Sequence, residues 1–293
     1  MPLDQFQHKI LQALLPQRSP DSVFAGGTVL QRHGHRLSQD QDIFTATGSQ
    51  EFLTIVYRDV KALEAAGVTV DLNILFEGMA EAIVNIEDEG ASKVQWVQAS
   101  SFNFFGPVAD PEYGWRLHMA DLAINKVLAA AGRREVRDYV DLALIDAHIM
   151  PLWLAIWAAP GKDASQTPNK ILERIARTNQ FTQVEFDNQI DSLCDLSAGE
   201  VGAAVRDAID TARDVFPLLP QASAGQLFIG PEGEIPMTVE ETLSGRFIPT
   251  APADGGAWPS GPAIDAALLQ RLIDEFGENG SRLTGTDPGC GKR

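Results

Sequence analysis

Cysteine is nearly absent from this chain. There are two in 293 residues, Cys194 and Cys290, and neither stands in a Cys-x-x-Cys or Cys/His metal-binding spacing. A disulfide scaffold and a thiolate zinc site are thereby excluded, and a reducing, cytoplasmic setting is expected. Cys194, inside IDSLCDL, reads as a small buried hydrophobe, and Cys290 as an exposed residue of a glycine-rich tail. Long apolar runs are also missing. The longest, residues 149–160 (IMPLWLAIWAAP), is shorter than a bilayer span and contains two prolines. The opening MPLDQFQHKI lacks the apolar stretch of a secretion signal. The expectation is a soluble protein without membrane contact. Cations are scarce as well: 23 Lys and Arg stand against 40 Asp and Glu, a net charge of −17. Such a balance argues against extended, non-specific contact with nucleic acid. No Gly-x-Ser-x-Gly, His-Glu-x-x-His or P-loop pattern occurs, which speaks against serine hydrolases, zincins and P-loop enzymes.

What is present suits a folded chain. Apolar residues make up 44% and charged residues 22%, enough for a sizeable core in one large domain or two modest ones. Residues 5–15 place Phe6, Ile10 and Leu14 at helical spacing. SVFAGG (22–27) reads as a short strand entering a glycine turn, followed by a turn or two of helix over 28–34 and a second strand at 41–45. Residues 50–66 form an amphipathic helix ended by Gly67. Strand patterns follow at 68–76, 81–87 and 93–99, the last two joined by an Asp88-Glu89-Gly90 turn. From 119 to 217 the period is helical, over 119–131, 135–148, 169–177, 184–196 and 200–216. The expected fold is α+β: a small mixed-sheet core over 1–110, a helical domain over 111–222, and an extended tail over 223–293. The tail reads as a hairpin around Gly230–Gly233, a Pro/Gly linker, a helix over 263–277 and a disordered last dozen residues.

The segment FAGGTVLQRHGHRLSQDQDIFT, residues 24–45, carries the chemistry. Residues i and i+2 of a strand share a side, so Asp40 and Asp42 can aim two carboxylates at one point. Hard cations such as Mg²⁺ take oxygen donors of this kind together with substrate phosphates. Gly26 and Gly27 let backbone amides approach a phosphate closely, and the following helix start adds partial positive charge. An Asp-x-Asp alone, or a Gly-Gly turn alone, is common in acidic proteins; their order and spacing here make the signal. Residues 116–137 add an island of five cations, Arg116, Lys126, Arg133, Arg134 and Arg137, against Asp121 and Glu135. That island is either a solvated helix face or a local phosphate-binding patch. Asp138 and Asp141 share one helix face, opposite the apolar Val136, Tyr139, Val140, Ala143 and Leu144. Lys126 sits at the edge of an apolar stripe, where a lysine ordinarily snorkels to solvent.

These residues resemble the AbiEii/AbiGii-type nucleotidyltransferase toxin family, of the DNA polymerase β-like superfamily. The first match runs through Gly26, Gly27, Thr28, His35, Arg36, Ser38, Asp40, Asp42, Ile43 and Phe44, the second through Asp121, Lys126, Arg137, Asp138 and Asp141. The resemblance implies Mg²⁺ held by Asp40 and Asp42, and a nucleoside triphosphate (NTP) bound near Gly26, Gly27, Thr28, Arg36 and Ser38. It implies Lys126 facing the triphosphate, and Asp138 beside it as an orienting carboxylate or base. It further implies transfer to an RNA (tRNA) or protein hydroxyl, and a cognate antitoxin as partner in a toxin–antitoxin or phage-defence system. His35 and Arg36 are expected to pack and pair around the two aspartates, and Asp121 to act as an acid of a helix first turn. One departure stands out. The superfamily supplies a third carboxylate from a neighbouring strand, whereas KVQWVQA offers Gln95 and Gln98 and no acid. Asp71 is the nearest substitute and Asp138 the alternative. Loss of a general base costs roughly 10²–10⁴-fold, so a weak enzyme or an inactive nucleotide-binding protein is the competing expectation.

Overall fold

The computed structural model describes residues 4–253 apart from His33, His35, Gln39, Glu77, 99–101 and 192–195. The expectations for Cys194, Cys290, His35, the Pro/Gly linker and the helix at 263–277 lie outside the described residues.

Helix α1 (Gln5–Leu14) opens with a reciprocal cap: Gln7 N donates to the Asp4 carboxylate at 2.7 Å and Asp4 N to Gln7 Oε1 at 3.1 Å. It buries Phe6, Ile10, Leu11 and Leu14. Strand β1 (Ser22–Ala25) runs directly into the short α2 (Gly26–Leu30), and β2 (Asp40–Thr45) returns antiparallel to β1. Helix α3 (Ser49–Ala65) buries Phe52, Ile55, Val56 and Leu63. It stops at Gly67, whose φ of +81° ends the helical conformation. A meander follows: β3 (Thr69–Phe76), β4 (Met79–Ile86) and β5 (Gly90–Gln98) pair antiparallel in sequence, the last turn passing through Asp88 at φ +66°. Strands β6 (Val108–Asp110) and β7 (Gly114–Arg116) form a small hairpin. The sheet order is β3-β4-β5-β2-β1-β7-β6, with β2 parallel to β5 and β1 parallel to β7. The sheet therefore runs past residue 110, the expected end of the core, to Arg116.

Helices α4 (Met119–Gly132), α5 (Val136–His148), α6 (Leu152–Ala158), α7 (Pro168–Thr178), α8 (Gln183–Gln189) and α9 (Ala198–Val215) make up the helical region. The apolar run near residue 155 becomes α6, every residue of which is buried. Among the described residues no single helix is long and apolar enough to cross a membrane. Beyond α9, β8 (Leu227–Ile229), α10 (Val239–Leu243) and β9 (Ile248–Thr250) follow. The expected hairpin at Gly230–Gly233 is only a turn, and β8 pairs with β9 instead. Pro231 lies within that turn and Pro236 just beyond it, and both lack the N–H group that a local ladder needs.

The two faces of the sheet differ. Gln41, Ile43, Trp96 and Ala82 are buried against α1 and α3, and Gln41 Nε2 donates to Gln7 O at 2.7 Å. Asp40, Asp42 and Phe44 project from the opposite face. Behind the sheet lies a fully buried ion pair, Arg18–Asp59. Trp96 Nε1 also donates to Asp59 at 2.8 Å, and Arg18 Nη1 donates to Ser22 Oγ at 2.8 Å. This cluster ties α3 to the sheet. Removing one member leaves an uncompensated buried charge, at a cost of about 3–5 kcal/mol. Arg18→Met should lower stability by that amount in urea titration, whereas Arg18→Met combined with Asp59→Leu should recover most of it. Equal losses in both variants would contradict this account.

Candidate active site

The site begins where β1 meets α2. Ala25 pairs with Asp42 across the β1–β2 ladder, so the turn at Gly26 lies against the Asp42 side chain. Gly26 has φ +65°, and a β-carbon placed on it would lie 1.6 Å from Asp42 Oδ2. The carboxylate occupies the space that any other residue would fill, and only glycine permits both the backbone and the contact. A β-carbon at Gly27 would come within 3.1 Å of Arg36 Nη2 and Ser38 Oγ. Thr28 is fully buried; its Oγ1 donates to Asp40 O at 2.6 Å, and Ser38 Oγ donates to the same oxygen at 3.0 Å. Tyr113 Oη donates to Thr28 O at 3.0 Å. Thr28 and Ser38 therefore fix the first residue of β2.

Asp40 faces two partly exposed cations, Arg137 Nη1 at 3.2 Å and Lys93 Nζ at 3.6 Å. Burial pushes the Asp42 carboxyl above its ordinary range; Lys126 pulls the other way, and Asp40 adds to the rise. Lys126 is held from behind by two fully buried acids of α5, Asp141 at 2.8 Å and Asp138 at 3.3 Å. Asp138 also accepts from Arg133 Nε at 2.7 Å. Asp141 receives both arms of Arg36, each at 2.9 Å, and Gln31 Nε2 at 2.6 Å. Burial alone would raise the Asp141 pKa, but Lys126 and Arg36 outweigh it and bring it to about 2. Arg36 is thus buried and bonded to α5, not to Asp40 or Asp42.

The structure also places the strand expected to supply a third acid. Gln95 lies opposite Asp42 on the parallel neighbour β5, and Glu81 lies opposite Gln95 on β4. Asp42, Gln95 and Glu81 therefore form one row on one face. Gln95 Nε2 donates to Glu81 Oε2 at 2.6 Å, and Lys93 Nζ lies 3.6 Å from both Glu81 and Asp40. Glu81 is the residue that sequence reasoning missed. Asp71, the substitute considered from sequence, sits on β3, three strands from Asp40 in its own row. Asp121 lies in the first turn of α4 as expected; it is also buried, accepts from Phe104 N and Phe105 N at 2.9 Å, and pairs with Lys162 at 2.7 Å.

The basic island of residues 116–137 is consumed internally. Arg116 pairs with Asp110, Arg133 with Asp138, Arg134 with Glu185 and Arg137 with Asp40. Among the described residues no three His, Cys, Asp or Glu side chains group as a metal site, which leaves Asp40 and Asp42 as a two-carboxylate pair. Their chemistry nonetheless fits a hard divalent cation: both donors are oxygen, both leave the same side of one strand, and burial beside Asp40 makes the Asp42 anion costly without a positive partner.

No family model matches this sequence, and no curated protein does either. Solved structures do match. The nucleotidyltransferase toxin MenT4 from Mycobacterium tuberculosis H37Rv aligns with a TM-score of 0.51 at 16% identity, over 71% of this chain and 82% of its own. A protein from H. pylori assigned as a nucleotidyltransferase aligns at 0.46 and 14% identity, over 73% and 97%. The Cid1 poly(U) polymerase aligns at 0.27 and 14% identity, over 98% and 91%. The MenT4 likeness is one of fold alone: over the aligned part the two chains share an architecture.

Two outcomes follow from this electrostatic arrangement. The folded state holds the Asp42 proton more tightly than the unfolded chain does, so stability falls as pH rises through the raised folded pKa. Asp42→Asn should therefore raise the thermal midpoint near pH 7.5 in calorimetry, and an unchanged or lower midpoint contradicts the assignment. Asp141 has the opposite sign. Its contribution is complete above the ordinary carboxylate pKa of about 4 and is lost as pH falls toward about 2. Asp141→Asn should flatten the acid limb of the stability profile in that window while lowering stability at neutral pH.

Proposed function

We propose that this chain is a Mg²⁺-dependent nucleotidyltransferase that moves a nucleoside monophosphate from an NTP to a hydroxyl of RNA, tRNA among the candidates, or of a protein. The observation that carries the reading is the convergence of Asp40, Asp42 and Lys126 beside the Gly26 turn, where Asp42 fills the missing β-carbon's place. Asp40 and Asp42 would hold the Mg²⁺, which supplies charge neutralisation to the phosphates when bound. Lys126, aimed from α4 and fixed by Asp138 and Asp141, neutralises the triphosphate. Asp138 is then a positioning residue. The backbone at Gly26, Gly27 and Thr28 borders the phosphates, with Arg36 and Ser38 supporting that loop from beneath. In the reaction the acceptor oxygen bonds to the α-phosphorus, the bond to the β-phosphate oxygen breaks, pyrophosphate leaves, and the hydroxyl proton passes to a base. By analogy with MenT4, a toxin by name, the biological role proposed is that of a cytoplasmic toxin restrained by a cognate antitoxin.

The row Asp42–Gln95–Glu81 favours a second reading, in which the protein binds nucleotide but transfers it slowly or not at all and acts through partner binding. An amide stands in the row beside Asp42, and the nearest acid in that row is held by Gln95 and Lys93.

Incubation with labelled NTPs, Mg²⁺ and total tRNA or lysate protein should give transfer that Asp40→Ala and Asp42→Ala each abolish. If Glu81 is the working base, Glu81→Gln lowers the rate by roughly 10²-fold or more. If the base is missing, Glu81→Gln is neutral and Gln95→Glu accelerates transfer. Nucleotide binding without transfer in the wild type and in Gln95→Glu would establish the second reading.

A further inference from the structure

Beyond Asp42 on the same side of β2 stands Phe44, one pleat repeat or about 7 Å along the strand. It opens onto a cavity of about 330 Å³, within the range that encloses small organic ligands. Phe44, Phe102 and Leu128 give it apolar walls, and Asn103, Asn125 and Lys162 give it polar groups. Asn125 directly precedes Lys126 on α4, so the cavity and the proposed triphosphate grip share a wall.

The polar groups define the ligand. Lys162 brings no net charge to the cavity, because it pairs with the buried Asp121 at 2.7 Å. It also donates to Asn103 Oδ1 at 2.9 Å, which leaves the Asn103 amino group as that side chain's uncommitted edge. Asn125 is half-buried, and among the described residues its amide has no hydrogen-bond partner. A primary amide presents a donor and an acceptor side by side. A neutral cavity with two phenyl walls and such an amide suits a flat heteroaromatic ring carrying adjacent donor and acceptor atoms, and does not suit another phosphate. In the other direction along β2 lies Asp40 with Arg137 and Lys93, a charged surroundings that suits phosphates.

We infer that this cavity is the nucleobase subsite for the incoming NTP, with Phe44 providing the stacking face and Asn125 reading the base edge. The inference rests on the nucleotidyltransferase reading, and the experiment separates the two. Titration calorimetry in Mg²⁺ would compare inorganic tripolyphosphate with ATP, GTP, CTP and UTP on the wild type, Asn125→Ala and Phe44→Ala, each checked for folding by circular dichroism. At least one NTP should bind tenfold or more tighter than tripolyphosphate, and the four bases should be separated. Asn125→Ala should collapse that separation while shifting tripolyphosphate affinity less than twofold. Phe44→Ala should weaken all NTPs by roughly tenfold, the loss of one stacked base. Tripolyphosphate binding as tightly as every NTP, with Asn125→Ala unchanged, overturns the subsite and leaves the triphosphate grip standing. If neither tripolyphosphate nor any NTP binds, the nucleotide reading falls and the subsite with it. If Asn125→Ala weakens an RNA oligonucleotide but no NTP, the cavity takes the acceptor's base and the inference is wrong.

Discussion

The buried carboxylate of Asp141 holds the two halves of this molecule in working relation. It takes both arms of Arg36 from the loop before β2, the amide of Gln31 from the end of α2, and the ammonium of Lys126 from α4. Three separate segments of chain thus converge on one side chain of α5. Burying an ion group of this kind is expensive unless every lone pair is met, and here Asp141 is met by two cations and an amide. The consequence reaches the site, because the same carboxylate that anchors the loop also sets the direction of Lys126. A loosened Asp141 would release the loop that carries Ser38 and Asp40 and the cation facing Asp42 together.

Beside that well-satisfied centre lies one that is not. Asp42 is pressed onto Gly26, held above its ordinary pKa by burial, and crowded by the like charge of Asp40. Natural folds keep such unfavourable anions where a bound cation or substrate relieves them. The contrast between Asp141, fully met within the protein, and Asp42, whose burial outweighs the cations around it, separates a scaffolding acid from the one we propose to bind a ligand. Both act on Lys126, one from a strand and one from a helix, and their sequence contexts, an Asp in a motif, look alike.

Much of this was legible from residues alone. Asp40 and Asp42 share a side because strand geometry requires it, and the helical period from 119 to 217 placed α4, α5, α7 and α9 close to their observed spans. Glu81 was within reach too. The turn at Asp88–Gly90 sets Ile86 opposite Gly90, and that register puts Glu81 opposite Gln95. What sequence periodicity cannot supply is pairing between distant strands. The parallel contact of β2 with β5, which sets Gln95 beside Asp42, and that of β1 with β7, which extends the sheet to Arg116, depend on tertiary packing. Arg36 shows the same limit. Its nearness in sequence to Asp40 suggests a shared site, yet its partner lies 105 residues away on α5.

The charge distribution constrains how such a protein could handle a polyanion. At −17 overall, it repels nucleic acid at long range. Its one basic stretch does not offset this, because Arg116, Arg133, Arg134 and Arg137 are each committed to an acid of the same chain. These pairs are not equivalent, however. Arg133 binds the fully buried Asp138, whereas Arg137 and Lys93, both partly exposed, neutralise Asp40 at the rim of the site. If Asp40 is instead neutralised by a cation that arrives with the triphosphate, Arg137 and Lys93 are freed for phosphate oxygens without any change in the protein's own charge. An exchange of this kind lets an acidic protein accept a triphosphate at one point while leaving the rest of its surface repulsive to RNA. An acceptor would then have to be recognised through a short, local contact at the cleft, because no broad basic face is available along the described chain.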